Sequence, residues 1–232
     1  MKHNRTRIPP ALRPAEFGFF IAGCAFSCLL ILELALEVFF TLHLSARIFL
    51  LLAACVSYYT AAYLYADRTG KVGRLRGIQI LLFVVYLSVV IDITLIGTAV
   101  GRLHFPGARE DYIELFVNFK PFKTIKNYLR GFGNGYVSFF RLSLNLLGNI
   151  LLLAPLAFFL PLLFKYERKW FVFLPSVLLF SVCVEALQYL FMVGSCDVDD
   201  LILNFLGATA LFFLLKIPPL RRLIRTITKS EF

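Results

Sequence analysis

A helical hairpin between residues 181 and 207 carries the side chains with the greatest potential for chemistry, because carboxylates and carboxamides interrupt two apolar runs there. Glu185 and Gln188 are three residues apart and share one helical face. Asp197, Asp200 and Asn204 share one face of the following helix by the same spacing. An ionisable group inside a bilayer costs about 2.5–3.5 kcal/mol on insertion scales, so it normally faces protein or water and indicates function. We therefore expect this hairpin to form the site.

Three alternatives are open for these carboxylates. The first is structural, because a carboxylate at a helix N-terminus accepts backbone N–H bonds. The second is metal binding or catalysis by Glu185, Asp197 and Asp200. Carboxylate and carboxamide oxygens favour Mg²⁺ or Ca²⁺, which makes a divalent cation the candidate cofactor, and carboxylates can act as general acids or bases. The third is direct binding of a polar ligand, to which Asp199 and Asn204 would contribute.

Further candidate ligand-binding residues precede the hairpin. Asn145 and Asn149 lie one turn apart in the fourth apolar run, where carboxamides either join helices by hydrogen bonds or contact a ligand. Lys120 and Lys123 alternate with phenylalanines around a proline. They either anchor the segment at the membrane interface or hold a phosphate as point charges. Gln188 has the same two alternatives as the asparagines.

The composition is typical of an integral membrane protein. The 232 residues are 59% hydrophobic and 16% charged, with a mean hydropathy of +0.80. We interpret the net charge of +10 as a topological signal rather than as a sign of nucleic-acid binding. The chain contains neither a Gly-Lys-Ser/Thr phosphate loop nor a Gly-x-Ser-x-Gly elbow, and this argues against an NTPase or a serine hydrolase.

Apolar runs of about 20 residues are long enough to cross a bilayer as helices. The sequence therefore predicts an all-α, polytopic membrane bundle of about six transmembrane helices. The predicted spans are residues 17–40, 45–66, 77–100, 144–164, 170–192 and 199–215.

Basic side chains alternate between the connections of these spans. They occur in residues 1–16, 67–76, 165–169 and 216–229, whereas the connections 41–44 and 193–198 contain no Lys or Arg. The positive-inside rule therefore places both termini in the cytoplasm and the long loop 101–143 outside. Within that loop, residues 111–129 are apolar and aromatic at helix-like spacing, which predicts an interfacial or re-entrant segment. The embedded acids and amides, with Glu33, Glu37 and Asp92 among them, then fall in the outer half of the membrane. This predicts one polar cavity that opens to the outside.

Four ordered motifs resemble the VanZ-like family. They are Asn118-Phe-Lys-Pro-Phe-Lys-Thr-Ile125, Asn145-Leu-Leu-Gly-Asn149 with Pro155, Glu185-x-x-Gln188, and Asp197-Val-Asp-Asp200 followed by Asn204-x-x-Gly207. The resemblance covers about residues 80–215. It implies a multi-pass protein of the bacterial cytoplasmic membrane.

The resemblance also implies a role in the cell envelope, because the founding member of the family is associated with resistance to teicoplanin. Teicoplanin is a lipoglycopeptide that binds cell-wall precursors. The expected partners are therefore the lipid bilayer and either a lipid-linked wall precursor or the lipoglycopeptide itself. Three functional classes are open: a metal- or carboxylate-dependent hydrolase or transferase at the outer leaflet, a non-catalytic lipid binder or transporter, and a structural membrane protein.

The predicted organisation has three parts. Residues 1–76 form a basic tail and two additional transmembrane helices. Residues 77–216 form the VanZ-like four-helix domain, which includes the loop 101–143. Residues 217–232 form a basic cytoplasmic tail.

The topology can be tested with reporter fusions. We expect a green fluorescent protein fused after Gly70 or Lys216 to fluoresce, because both positions lie in basic, cytoplasmic connections. Alkaline phosphatase inserted between Gly194 and Val198 should be active, since that connection is predicted to lie outside. Phosphatase activity at Gly70 and none at Gly194–Val198 would reverse the orientation.

Overall fold

The computed structural model describes residues 14–35, 44–96 and 105–231, with side chains from residues 14–29, 51–96 and 105–231. These ranges are helical apart from short connections and one pair of two-residue strands. This confirms the predicted helical class. The helices are α1 Pro14–Ala35, α2 Leu44–Thr69, α3 Gly73–Ile91 with a π-helical end Asp92–Ile96, α4 Arg109–Phe116, α5 Lys123–Gly133, α6 Phe139–Leu152, α7 Leu156–Leu163, α8 Trp170–Phe191, α9 Val198–Leu215 and α10 Pro218–Thr228. The strands are β1 Val117–Asn118 and β2 Cys196–Asp197.

Four helical segments of the described chain are long and apolar enough to cross a membrane. They are Gly73–Ile96, Phe139–Leu163, Trp170–Phe191 and Val198–Leu215. These segments coincide with the last four predicted spans, and each end lies within five residues of the predicted one. The spans predicted at 17–40 and 45–66 fall on α1 and α2, which adjoin residues outside the described ranges. The total of six spans therefore stays a prediction.

The chain divides into two compact units, with the boundary between Leu82 and Phe83. The first unit contains α1, α2 and the start of α3. Gly23 lets α1 approach α2, because a Cβ at this position would lie 2.8 Å from the ring of Tyr58. Ala62 and Ala66 of α2 pack on the fully buried Leu75 of α3.

The second unit has its core where α7, α8 and α9 meet. Phe173 of α8 stacks on Phe212 of α9, with ring centroids 4.2 Å apart and planes 5° apart. Val177, Ala208 and Leu156 surround this pair and are also buried. The apolar core fixes the cytoplasmic half of α8 against α9 in the predicted orientation, and the polar residues of the hairpin lie at the opposite ends of the two helices.

Helix α6 packs directly on α9 through Gly207. A Cβ at this position would lie 1.8 Å from the carbonyl oxygen of Ile150, a distance that no side chain tolerates. Glycine is therefore required for the two backbones to come this close. The contact holds the asparagine-bearing face of α6 beside the start of α9.

The described part of the long loop folds back onto the hairpin. Helices α4 and α5 flank strand β1, which pairs in parallel with β2 so that Val117 lies opposite Cys196 and Asn118 opposite Asp197. Phe122 then adopts a left-handed conformation with φ 63° at the start of α5. The sequence analysis predicted one segment with helix-like spacing between residues 111 and 129. The structure has two helices instead, because the strand pair and this turn interrupt them.

Candidate functional site

Asp197 directly precedes α9 and lies in the connection that joins this helix to α8. Its carboxylate accepts the backbone N–H of Asp199 at 2.8 Å, as a helix N-cap does. Its own backbone N–H donates to Oε2 of Glu185 at 2.9 Å. Glu185 and Asp197 are therefore joined by a hydrogen bond that closes the hairpin.

Asp197 also binds the loop segment that precedes α5. Its Oδ1 accepts from Nδ2 of Asn118 at 2.9 Å, and its Oδ2 accepts from Oγ1 of Thr124 at 2.5 Å. Asn118 is buried, and its carboxamide bonds within its own turn as well, because its Oδ1 accepts the backbone N–H of Lys120. Both carboxylate oxygens of Asp197 thus have donors from protein groups.

Asp199 is fully buried and accepts hydrogen bonds from three backbone N–H groups. Thr124 and Ile125 donate to its Oδ2 at 2.8 and 3.1 Å, and Phe122 donates to its Oδ1. Successive N–H groups that converge in this way form an anion-binding concavity. Here the anion is a side chain of the same protein. The Pro-Phe-x-Thr-Ile motif therefore supplies the donors that a buried Asp199 requires.

Asp200 faces a different neighbour. Its Oδ1 accepts from Nδ2 of Asn149, so it links α9 to α6. The three consecutive motif aspartates consequently have three roles: Asp197 caps α9 and holds the loop, Asp199 binds the loop backbone, and Asp200 contacts α6. This geometry supports the structural alternative for Asp197 and Asp199.

A polar cavity of about 420 Å³ lies between α5, α6, α8, α9 and the end of α3. Six of the ten residues predicted as site residues line it: Asn145, Asn149, Glu185, Gln188, Asp200 and Asn204. The further polar residues in its lining are Thr94, Tyr128 and Arg141. One compartment thus contains two carboxylates, four carboxamides and a guanidinium.

The other four predicted residues lie outside this lining. Asp197 and Asp199 bind the loop as described above. Lys120 and Lys123 are exposed, and neither is among the residues that line the polar cavity. The single cavity predicted for all embedded acids and amides therefore receives only part of that set. Asp92 was also predicted for this cavity and is not in its lining. The side chains of Glu33 and Glu37, which were predicted for it as well, lie outside the described residues.

Arg141 and Tyr128 were missed by the sequence analysis. Arg141 lies three residues before the predicted start of the fourth span. A basic residue at that position is typical of an anchor at the membrane interface. A signal was nevertheless present, because Arg141, Asn145 and Asn149 recur every four residues and so share one helical face. The observed α6 begins at Phe139 and includes all three.

Two carboxamide oxygens at the polar cavity have no protein donor. Oδ1 of Asn204 and Oδ1 of Asn145 are both buried and accept no hydrogen bond from the chain. Gln188 differs, because its Nε2 donates to the carbonyl oxygen of Thr94 at 3.1 Å. A buried polar atom that lacks a partner costs about 1–3 kcal/mol. The two asparagines are thus the lining residues best placed to accept from a ligand.

Glu185 also lines a second cavity of about 410 Å³, whose other walls are mostly apolar. Cys196 lies in this lining. Burial, together with the nearby carboxylates of Glu185, Asp197 and Asp200, raises the pKa of the Cys196 thiol to about 11. The thiol is therefore protonated at neutral pH and is a poor nucleophile. Its contribution here is that of a small buried side chain.

The geometry does not fit a divalent cation held jointly by Glu185, Asp197 and Asp200. Among the described residues, no three His, Cys, Asp or Glu side chains are arranged to hold a metal ion. Both oxygens of Asp197 already accept from protein donors, and Asp200 turns towards α6.

The chain was compared with protein families, with curated proteins and with solved structures. A family model described as VanZ/LLP1 matches residues 81–220, more than half of the chain. The matched range includes the polar cavity, the three aspartates and the loop that they bind, whereas α1 and α2 precede it. No curated protein and no solved structure matches the chain.

The binding of the loop backbone by Asp199 can be tested by amide hydrogen exchange. We expect Asp199→Asn to speed the exchange of the Phe122, Thr124 and Ile125 amides at least about tenfold, because hydrogen bonds to a charged acceptor contribute about 1.5–3 kcal/mol. Asp111→Asn is the matched control, since this exposed residue of α4 loses the same charge. Equal exchange in both variants would show that Asp199 does not hold the segment.

Proposed function

Because the chain belongs to the VanZ/LLP1 family, we propose that it lowers the susceptibility of a bacterium to lipoglycopeptides of the teicoplanin type. It does so by binding the polar headgroup of an envelope lipid or lipid-linked wall precursor in the polar cavity. The protein acts in the cytoplasmic membrane, and the cavity is reached from the outer leaflet. The observation that carries this proposal is the convergence of charged and carboxamide side chains within a membrane helical bundle.

The acceptors of the cavity define one part of the ligand. Glu185 and Asp200 contribute carboxylates, while Asn145 and Asn204 contribute buried oxygens that no protein group satisfies. A ligand that meets this wall must carry hydrogen-bond donors, such as sugar hydroxyls or an ammonium group. A wholly apolar ligand would leave these oxygens without partners, at a cost in free energy.

Arg141 defines the other part of the ligand. Arg141 lies in the first turn of α6, lines the polar cavity and is exposed. Its planar guanidinium can bind two phosphate oxygens at once. Tyr128 adds a phenolic hydroxyl to the lining. A phosphorylated headgroup that also bears hydroxyls or an amine would satisfy both ends. Lipid-linked sugar precursors and amino phospholipids both have this chemistry.

Binding of such a headgroup has a consequence for drug action. A lipoglycopeptide of the teicoplanin type binds cell-wall precursors. A protein that occupies these precursors, or changes the lipids around them, reduces the amount of target that the drug can reach. The effect requires binding alone, without a chemical step.

Catalysis is a second candidate, because Glu185 and Asp200 line the same cavity. A hydrolase or transferase could use one of them as a general acid or base. The two candidates differ in their products. An enzyme would produce a modified envelope lipid that is absent in Glu185→Gln, whereas a binder would leave the lipid composition unchanged, as mass spectrometry of extracted lipids can show.

Asn204→Leu tests the proposed binding. It breaks no hydrogen bond to the Asn204 oxygen, because that oxygen has no protein donor. We expect the variant to keep its thermal stability, because it removes a buried acceptor that has no protein donor. Headgroup affinity should fall about threefold to tenfold, the effect of one lost hydrogen bond. Teicoplanin susceptibility of a host that expresses the variant should move towards that of the empty vector.

Thr209→Val is the matched control for this experiment. Thr209 also lies in α9, and its Oγ1 is buried and has no hydrogen-bond partner among the described residues. Thr209 is not in the lining of the polar cavity. We expect it to protect the host as the wild type does. If Asn204→Leu protects equally well at the same expression level, the cavity is not the binding site.

A further inference from the structure

The first compact unit contains a cavity of its own, which the proposed function does not use. It has a volume of about 470 Å³ and lies between α1, α2 and the start of α3, within the size range of small-molecule sites. Its walls are mainly apolar and aromatic, with Phe20, Tyr58, Ala61 and Ile78 among them. Walls of this kind suit a hydrocarbon chain.

One end of this cavity is charged. Glu16 is buried there, and its two carboxylate oxygens accept from Nε and Nη2 of Arg68 at 2.6 and 2.7 Å. This paired, bidentate geometry is among the stronger ion pairs in proteins. Glu16 therefore does not leave an uncompensated negative charge at this end of the cavity.

Arg74 lies at the same end and has a different environment. Its guanidinium carbon is 4.3 Å from the centroid of the Tyr65 ring, and both residues line the cavity. Within the described ranges, Arg74 forms no ion pair with a carboxylate. Its N–H groups can therefore bind an external anion while the ring holds the guanidinium in place.

The surroundings of Arg74 favour a phosphate. The connection 67–76 carries Arg68, Lys71, Arg74 and Arg76 against one carboxylate, Asp67, and it is predicted to face the cytoplasm. Basic pockets between helices on this side of a membrane bind anionic lipid headgroups. The polar end and the apolar walls match the two parts of such a lipid.

We propose that the first unit binds an anionic phospholipid. The lipid phosphate contacts Arg74, and one acyl chain lies along Phe20, Tyr58 and Ile78. This site is separate from the polar cavity and does not depend on it. It assigns a function to the two helices that precede the family match.

The test measures lipid retention by the full-length protein. The protein is purified from vesicles that contain equal amounts of phosphatidylglycerol and phosphatidylcholine with the same acyl chains, and bound lipid is counted by native mass spectrometry. We expect phosphatidylglycerol to be retained preferentially. Arg74→Gln should lower its retention about fivefold, the effect of one basic side chain near an anionic headgroup.

Three further variants separate a site from general attraction. Arg76→Gln removes the same charge from the same connection, but Arg76 does not line the cavity, so retention should stay near the wild-type value. Gly77→Leu adds a side chain to the lining at a position where a Cβ meets nothing within 4 Å. Gly77→Leu should displace the lipid without lowering thermal stability. Gly73→Leu adds the same side chain outside the lining, so it should leave lipid retention unchanged.

Two results would overturn the proposal. Equal loss in Arg74→Gln and Arg76→Gln would mean that the connection attracts anionic lipid only through its total charge. Unchanged retention in Gly77→Leu would mean that no chain occupies the cavity. Neither result bears on lipoglycopeptide susceptibility, which tests the polar cavity independently.

Discussion

A carboxylate that is buried must be given hydrogen-bond donors, and this requirement organises the hairpin and the loop that packs on it. Asp197 and Asp199 are both buried at the start of α9. Their donors come from residues 118–125, chiefly as backbone N–H groups and the side chains of Asn118 and Thr124. The loop cannot leave the hairpin without exposing two charges that have lost their partners. The short strand pair and the left-handed turn at Phe122 follow from this arrangement.

The same group of carboxylates connects this anchoring to the polar cavity. Glu185 accepts the N–H of Asp197 and also lines the cavity. Asp200 holds Asn149 while contributing to the same wall. Positioning and ligand contact are thus combined in single residues, so a substitution at either position changes both. Asn204 has no such double role at its carboxamide oxygen, which makes it the more informative residue for testing binding.

The elements that hydropathy controls could be predicted from the sequence. The contacts that depend on which way a side chain faces could not. Spans three to six could be predicted because lipid selects long apolar runs. Asp199 and Asp200 are neighbours in sequence, yet one faces the loop and the other faces α6, and composition cannot separate them. The two-residue strands leave no periodic pattern. Lys120 and Lys123 were the candidate phosphate ligands, but neither lines the polar cavity. Arg141 lines it and was missed, because α6 begins five residues before the predicted start of the fourth span.

The arrangement of the hairpin depends most on the attachment of the loop to Asp197. A double-mutant cycle of Asp197→Asn and Thr124→Val measures this attachment, with free energies of unfolding determined in detergent micelles. We predict a coupling energy of at least about 1 kcal/mol, as for residues within one hydrogen-bond network. Additive effects, within about 0.3–0.5 kcal/mol, would mean that the two residues act independently and would contradict the account.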